Sequence, residues 1–231
     1  GSAMSLACQY FNLDLRVYMV KVSCEQKPYR KLLMNAWGAN VIPSPSTTTK
    51  CGRDILAADP NCSGNLGIAI SEAVESALEH GDSTRYCLGS VMNHVLLHQT
   101  IIGEEAIRQM EMAGDGPDVV IGCFGGGSNF AGIGFPFIRR NLCEGKKTRV
   151  VAVEPATSAV LSTGKAGAHK IQGIGAGFIP KALNTEIYDE IITVENEDAF
   201  TEGARFARTE GVLVGISSGA ALKAAAEVAK R

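Results

Sequence analysis

Short apolar runs alternate with longer amphipathic segments in the second half of the chain. The runs at residues 119–123, 149–153 and 191–194 are rich in Val and Ile and predict β-strands. They lack the apolar–polar alternation of a half-exposed strand, which is typical of parallel strands covered by helices on both faces. The pattern therefore predicts an α/β fold with three layers, α/β/α, around a mostly parallel sheet.

Apolar residues at helical spacing predict helices at residues 67–80, 93–112, 131–141 and 220–230. The buried face of the first helix is predicted from its apolar residues Ile68, Ile70, Ala73, Val74 and Leu78. Another helix follows the 191–194 strand, and its apolar face is predicted to include Phe200, Ala204 and Ala207. These helices supply the outer layers that the apolar strands require.

The first half of the chain predicts a smaller strand and helix unit. Residues 15–22 are β-rich and residues 27–37 have helical spacing, so they predict a strand followed by a helix. Two prolines and a run of hydroxyl residues predict a loop at residues 43–49, and residues 86–88 are a candidate short strand.

A glycine-rich turn follows the 119–123 strand and carries the clearest chemical signal in the chain. Its residues are Gly125, Gly126, Gly127, Ser128 and Asn129. Glycines let a backbone approach an anion closely, while hydroxyl, amide and helix N-terminal N–H groups supply hydrogen-bond donors. The turn therefore predicts a cradle for the phosphate of a cofactor or substrate. The alternative interpretation is a strand-to-helix turn that binds nothing.

Composition narrows the class of ligand. The net charge of −2 and the absence of a basic stripe argue against nucleic acid and favour a small molecule that carries a phosphate. No apolar run approaches the roughly 20 residues of a membrane span, so no membrane role is expected. The seven cysteines contain no CxxC pair, which favours reduced thiols in a cytoplasmic protein.

Histidine and cysteine residues are two further candidates for a site. His94 and His98 have the four-residue spacing of a metal pair, but no third ligand accompanies them, so packing is favoured and no metal site is predicted. Cys123 lies in the strand before the glycine turn and is interpreted as a buried thiol, since no histidine is fixed beside it in the sequence.

The sequence resembles two related enzyme families in different parts. Residues of about 6–155 are similar to the second class of tryptophan synthase β chain, in the stretches at 17–20, 25–30, 66–73, 88–91, 93–100 and 125–129. Residues of about 151–231 resemble cysteine synthase (O-acetylserine sulfhydrylase), in the stretches at 153–155, 169–180 and 211–220. Both families have fold type II of the pyridoxal-phosphate enzymes. The chain is therefore interpreted as a chimera joined near Glu154.

The resemblance implies a cofactor and roles for individual residues. The cofactor is pyridoxal phosphate, with its phosphate held by residues 125–129 and its pyridine nitrogen facing the hydroxyl of Ser217 or of the neighbouring Ser218. A neutral hydroxyl there favours β-elimination and β-replacement of serine-type substrates, with indole or sulfide as acceptor. Lys170 resembles a Schiff-base lysine of tryptophan synthase, but the residues after it match a cysteine synthase segment in which the lysine is structural.

The resemblance also implies that parts are missing. The usual Schiff-base lysine lies upstream of every matching segment, so we expect a fold truncated at both ends, weak cofactor binding and little or no activity alone. Residues 1–4 are expected to be a tag remnant, residues 5–90 the remainder of the smaller domain, and residues 91–231 the core of the larger cofactor domain. The alternative is a non-catalytic, recombined folding unit. Uncovered sheet edges and apolar faces predict that such a unit forms a homodimer.

Overall fold

The computed structural model describes all 231 residues and divides them between two units, residues 1–87 and residues 88–231. Each unit contains one sheet, with two strands in the first unit and three in the second. Every strand pairing is parallel, which confirms the α/β fold class. None of the helices is long and apolar enough to cross a membrane.

The first unit is a two-stranded sheet with five helices. Its elements are α1 (Ser2–Tyr10), β1 (Arg16–Val20), α2 (Lys21–Gln26), α3 (Pro28–Ala36), β2 (Asn40–Ser44), α4 (Lys50–Ala58) and α5 (Leu66–Glu79). Strand β1 pairs with β2 from Arg16 opposite Asn40 to Val20 opposite Ser44. A small core of Met34, Ala39 and Val41 covers one part of this sheet.

Strand β2 corrects the loop predicted at residues 43–49, because Pro43 and Ser44 belong to the strand. The backbone N–H of Asn40 donates to Leu15, so the even-numbered residues of β2 point their N–H groups towards β1. Pro43 therefore has its missing N–H on the free edge, where a proline costs no hydrogen bond. The predicted loop begins after this strand.

Helix α5 buries a different face from the predicted apolar one. Its buried residues are Ala69, Glu72 and Ser76, whereas Leu78 is exposed and Ile70 is only half-buried. The physical reason is a polar contact, because the Glu72 carboxylate accepts hydrogen bonds from the loop before α4. This contact takes precedence over burial of the apolar stripe.

The Glu72 cluster holds the start of α4 against α5. Glu72 Oε1 accepts from Ser46 N at 3.0 Å, Ser46 Oγ at 2.6 Å and Thr49 Oγ1 at 2.7 Å. Thr49 is the N-cap of α4, and its Oγ1 also accepts from Gly52 N at 3.0 Å. One turn further along α5, Glu75 accepts from the backbone N–H groups of Lys50 and Cys51. Glu75 therefore takes up two free N–H groups of the α4 N-terminus, while Glu72 holds the hydroxyl of the capping Thr49 and the preceding loop residue Ser46.

The second unit is a three-stranded parallel sheet in the order β3-β4-β5, with β4 in the centre. Its elements are α6 (Asn93–Met112), β3 (Val119–Cys123), α7 (Ser128–Glu144), β4 (Arg149–Pro155), α8 (Val160–Thr163), β5 (Glu190–Val194), α9 (Asn196–Glu210) and α10 (Ile216–Val228). The predicted helix at 93–112 and strand at 119–123 are confirmed without a shift in their ends.

Side chains of the central strand divide between two cores. Val150 and Ala152 pack with residues of α6 and α7 on one face, including Phe130 and Phe137. On the other face Val151 and its neighbour Val153 pack with α9 and α10, including Ala199, Ala220 and Ala224. Both faces of β4 are buried, which confirms the three-layer arrangement for this unit.

Several predicted elements of this part of the chain need correction. Residues 86–88 form no strand, since no neighbouring strand supplies a hydrogen-bond partner for them. The helix predicted at 131–141 extends over Ser128–Glu144, and the one predicted at 220–230 is α10, Ile216–Val228. On α9 the fully buried residue is Ala199, while Phe200 and Ala204 are exposed, so the predicted face is wrong by one position.

Candidate functional site

The glycine turn joins the carboxyl end of β3 to the first turn of α7. Gly127 has φ of +100°, a left-handed conformation that residues with a Cβ rarely adopt. A Cβ on Gly126 would lie 1.9 Å from Ser90 Oγ, so only glycine fits at that position. The sequence of the turn is therefore dictated by backbone shape and by the close approach of Ser90.

The N-termini of two helices open into the same cleft. The cleft has a volume of about 810 Å³, and the glycine turn, Ser217 and Ser218 are among the residues that line it. Ser217 and Ser218 lie in the first turn of α10, and Ser128 begins α7. Helix N-termini carry free N–H groups and partial positive charge, so this end of the cleft is suited to an anion.

Some hydrogen-bond donors of the turn bind acceptors within the chain, and others are free. The backbone N–H groups of Gly126, Gly127 and Asn129 have no acceptor within the chain. By contrast, Ser128 N donates to the Ser90 carbonyl at 3.2 Å, and Asn129 Nδ2 donates to the Cys123 carbonyl at 3.1 Å. The Asn129 side chain thus fixes the shape of the turn, while the free N–H groups are available to a ligand.

Ser90 is a residue of this site that the sequence analysis missed. Its carbonyl accepts from Ser128, and its hydroxyl lies against Gly126 at the wall of the cleft. The residue lies far upstream of the turn, in a stretch without regular structure before α6. No periodicity marks such a position, so only the resemblance of residues 88–91 to tryptophan synthase gave a signal.

Cys123 ties the glycine turn to α10. Its thiol donates to the Ser217 carbonyl at 3.1 Å, and the side chain is buried. Burial raises the pKa of the Cys123 thiol to about 12. The interpretation of Cys123 as a buried thiol is confirmed, because a thiol with so high a pKa is not a nucleophile at neutral pH.

We expect Cys123 to resist alkylation in the folded protein. A pKa of about 12 in place of the ordinary 9.0 leaves about 1,000-fold less thiolate at pH 8, whereas Cys87 and Cys143 are exposed. Iodoacetamide at pH 8, followed by peptide mass mapping, should modify Cys87 and Cys143 and leave Cys123 free. Denatured protein, in which all cysteines are accessible, is the control. Equal labelling of Cys123 in the folded protein would contradict its buried position.

Lys170 does not line the cleft, and none of the residues that line it is a lysine. The Lys170 side chain is exposed, and its backbone N–H donates to Asn196 Oδ1 at 2.7 Å. The neighbouring His169 donates from Nε2 to the Gly175 carbonyl at 3.0 Å. The structure thus brings together the glycine turn, Ser217 and Ser218, and leaves Lys170 outside this group.

His94 and His98 lie in the first half of α6 and form a contact within that helix. His98 Nδ1 donates to the His94 carbonyl at 2.6 Å, and the two rings are 6.5 Å apart. No group of three His, Cys, Asp or Glu residues is arranged to bind a metal ion.

Comparison with known proteins shows similarity along the whole chain. Residues 1–231 match the family described as pyridoxal-phosphate dependent enzymes. The chain is 45% identical to tryptophan synthase beta chain 2 of Methanosarcina mazei, over 99% of this chain and 58% of that protein. Among solved structures, cysteine synthase of Entamoeba histolytica has a TM-score of 0.73 and 28% identity, over 96% of this chain and 58% of that one.

The chain matches only part of the length of its relatives, and the part that matches differs from one relative to another. The chain spans less than three fifths of the length of the Methanosarcina relative. That alignment extends over 258 positions, which is 27 more than the 231 residues of the chain, so at least 27 of its positions have no counterpart here. Tryptophan synthase beta chain 2 of Aeropyrum pernix matches at 56% identity over 164 residues, which is 71% of this chain and 36% of that protein.

Proposed function

Because the chain belongs to the family of pyridoxal-phosphate dependent enzymes, we propose that its cleft binds the phosphate of pyridoxal phosphate but turns over no substrate alone. The observation that supports this proposal is the convergence of the glycine turn and the α10 N-terminus in a cleft without a lysine. The similarity to tryptophan synthase beta chain and cysteine synthase supports β-replacement as the ancestral type of reaction.

The residues of the cleft fit the phosphate end of the cofactor. A Cβ at Gly126 would fill the space beside Ser90, and the free N–H groups of Gly126 and Gly127 belong to the same turn. Ser217 and Ser218 at the start of α10 also line the cleft, and no carboxylate lines it. A hydroxyl hydrogen bond would leave a pyridine nitrogen largely unprotonated, whereas a carboxylate would favour its protonated form.

When bound, pyridoxal phosphate supplies an electron sink for reactions at the carbons of an amino acid. In this chain the glycine turn would hold the phosphate, and Ser217 or Ser218 would orient the ring. Covalent attachment requires a lysine whose amine is deprotonated and close to the cofactor. Lys170 is exposed and lies outside the cleft lining, so the chain has no residue in place for this role.

We expect Gly126→Ala to abolish specific binding of pyridoxal phosphate. The new Cβ would collide with Ser90 and displace the free N–H groups of the turn. An absorbance or fluorescence titration should show binding to the unchanged chain, and at least about tenfold weaker binding to the variant. Gly116→Ala is the matched control, since a Cβ there has open space. Equal binding by both variants, or equal affinity for pyridoxal without phosphate, would contradict a phosphate cradle.

The proposal also predicts that no lysine becomes covalently attached at the cleft. Borohydride reduction of the chain with pyridoxal phosphate, followed by peptide mass mapping, should give no site-specific adduct. Lys170→Ala should leave the adduct pattern unchanged. A specific adduct that disappears in Lys170→Ala, or formation of tryptophan or cysteine well above free cofactor, would overturn the predicted inactivity while leaving the phosphate cradle intact.

A second candidate is a non-catalytic folding unit recombined from related enzymes. Two alignments support it. The Aeropyrum relative matches 164 residues at 56% identity, whereas the Methanosarcina alignment, which extends over nearly the whole chain, contains at least 27 positions without a counterpart in this chain. A mixing experiment separates the candidates. A second chain that carries the upstream part of a tryptophan synthase beta chain is added to this one. If the mixture forms tryptophan, the cleft supplies a working part of the cofactor site; if it does not, the recombined folding unit is favoured.

A further inference from the structure

Cys123, the last residue of β3, makes hydrogen bonds to both sides of the cleft. Its carbonyl accepts from Nδ2 of Asn129 in the glycine turn at 3.1 Å, and its thiol donates to the carbonyl of Ser217 in α10 at 3.1 Å. No other hydrogen bond joins β3 or the glycine turn to α10. One residue therefore connects the phosphate end of the cleft to the start of α10.

The thiol of Cys123 is protonated at neutral pH and is therefore a donor. Burial raises the pKa of Cys123 to about 12, and the N–H of Ala221, which also approaches the sulfur, has a smaller effect in the opposite direction. Ser217 and Ala221 are about one helical turn apart in α10. The sulfur thus contacts the beginning of this helix at two points.

The chain segment that leads into α10 does not fix the helix against the glycine turn. Residues 211–215 are exposed, and their backbone hydrogen bonds go only to α9 and to α10 itself. Gly219 lies against α9, where a Cβ would be 2.0 Å from the Ala199 carbonyl oxygen. That contact fixes α10 against α9, so the hydrogen bond that holds α10 to the turn is the one from Cys123.

The separation between the turn and α10 matters because a pyridine ring is rigid. A ligand whose phosphate lies in the glycine turn has its ring nitrogen at one distance from the hydroxyls of Ser217 and Ser218. A hydrogen bond to the nitrogen is strong only up to about 3.2 Å, so a shift of about 1 Å in the helix would lose it. The same shift would leave the phosphate contacts intact.

We propose that Cys123 is a positioning residue, which sets the separation between the glycine turn and the hydroxyl of Ser217 or Ser218. Through this separation it gives the cleft a preference for phosphate esters that carry a ring nitrogen. The thiol acts through the Ser217 carbonyl and needs no bond to the ligand. This inference rests on the proposed function, since it concerns the same ligand class.

The alternative role of Cys123 is packing. Its side chain belongs to a buried core that includes Val151, Ala220 and Ala224, so a smaller residue would also leave a cavity. A cavity lowers stability and weakens the binding of all ligands alike, whereas loss of the bond to Ser217 weakens only ligands that use a ring nitrogen. Three variants separate these roles. Cys123→Ala lacks both volume and donor, Cys123→Ser keeps a donor, and Val151→Ala removes volume from the same core.

Calorimetric titration with two matched esters tests the preference. The esters 3-pyridylmethyl phosphate and benzyl phosphate differ only in the ring nitrogen, and neither has an aldehyde that could react with surface lysines. The unchanged chain should bind the pyridyl ester about tenfold more tightly, as expected for one hydrogen bond. Cys123→Ala should remove this difference and change the affinity for inorganic phosphate by less than about twofold. Cys123→Ser and Val151→Ala should retain the difference.

Nuclear magnetic resonance of the ligand-free chain tests the position of α10 directly. The N–H of Ser218 shares a peptide unit with the Ser217 carbonyl, so its nitrogen resonance responds when the carbonyl loses a hydrogen bond. Cys123→Ala should shift this resonance, and Cys123→Ser should return it towards its original position. If Cys123→Ala fails to fold by circular dichroism, Cys123→Val takes its place, because valine fills the volume without a donor.

The two measurements distinguish this inference from the proposed function. If no phosphate compound binds to the unchanged chain, the proposed function and the ring-nitrogen preference are both wrong, and the Ser218 resonance alone decides whether Cys123 positions α10. An unmoved Ser218 resonance, or a preference for the pyridyl ester that survives in Cys123→Ala, would overturn the positioning role. Equal weakening of both esters in Cys123→Ala and Val151→Ala would assign Cys123 to packing.

Discussion

Gly219→Ala is expected to lower the free energy of unfolding of residues 88–231 by about 3 kcal/mol. A Cβ at this position would lie 2.0 Å from the Ala199 carbonyl oxygen and 3.0 Å from Gly203 N. Both are backbone atoms of α9, so the two helices must separate to accommodate a single methyl group. The loss exceeds the roughly 1 kcal/mol that alanine gains over glycine within a helix.

The loss should be visible in the central strand of the unit. Amide exchange at Val150 and Val153, which are buried in β4, should become faster in Gly219→Ala by the amount that the free-energy loss implies. The same variant displaces the first turn of α10, so binding of pyridoxal phosphate should weaken with stability. Both effects arise from one helix crossing.

Gly203→Ala is the matched control for this helix crossing. Gly203 faces the same contact, but a Cβ there would lie 3.8 Å from the Gly219 Cα, an ordinary van der Waals distance. We expect this variant to be unchanged or more stable by up to about 1 kcal/mol. Equal destabilisation by the two alanines would show that the close approach at Gly219 does not determine stability.

Glu72→Ala is expected to destabilise residues 1–87 by about 4 kcal/mol, a large part of the stability of a unit of this size. Ser46 N, Ser46 Oγ and Thr49 Oγ1 all donate to one Glu72 oxygen, and the side chain is fully buried. Its removal leaves the buried donors Ser46 N and Thr49 Oγ1 without this acceptor and opens a cavity, whereas Ser46 Oγ keeps its contact with Thr48 Oγ1 at 2.7 Å. Trp37, the one tryptophan of the chain, reports unfolding of this unit by fluorescence during urea denaturation.

Two variants separate the role of the carboxylate from that of the helix. Glu72→Gln keeps one acceptor oxygen for the Ser46 and Thr49 donors. Its NH2 group, however, would lie at the position of Glu72 Oε2, which has no hydrogen-bond partner, so this variant should lose about half as much stability as Glu72→Ala. Glu79→Ala, at an exposed position on the same helix, should change stability by less than about 0.5 kcal/mol. An equal loss of stability in Glu79→Ala and Glu72→Ala would show that the Glu72 cluster does not determine the stability of this unit.

The fold class was predictable because its signal is local and repeated. Strands 119–123 and 149–153 are apolar on both faces, and only a sheet between two helix layers buries both sides. The glycine turn was found for a similar reason, since a positive φ at Gly127 and the close approach at Gly126 leave glycine as the residue that fits.

The buried faces of the helices were less predictable because tertiary contacts choose among nearly equivalent stripes. On α5 a buried carboxylate displaced the apolar stripe of Ile70 and Leu78, since it accepts hydrogen bonds from Ser46 and from the Thr49 hydroxyl that caps α4. On α9 the crossing with α10 selects small residues such as Ala199 and Gly203, although Phe200 is the more apolar side chain. Neither partner is visible from the spacing of apolar residues alone.

The parallel ladder of the second unit has a consequence for how the chain reaches its native state. Val119 pairs opposite Arg149, and Val151 opposite Glu190, so each pairing closes a long segment of chain before any ladder hydrogen bond forms. Contacts between distant residues slow folding, because the entropy of loop closure is lost before the contacts stabilise the chain. During that interval the apolar strands remain unpaired, and intermediates of this kind aggregate as concentration rises. The yield of folded protein should therefore depend on dilution as much as on native stability.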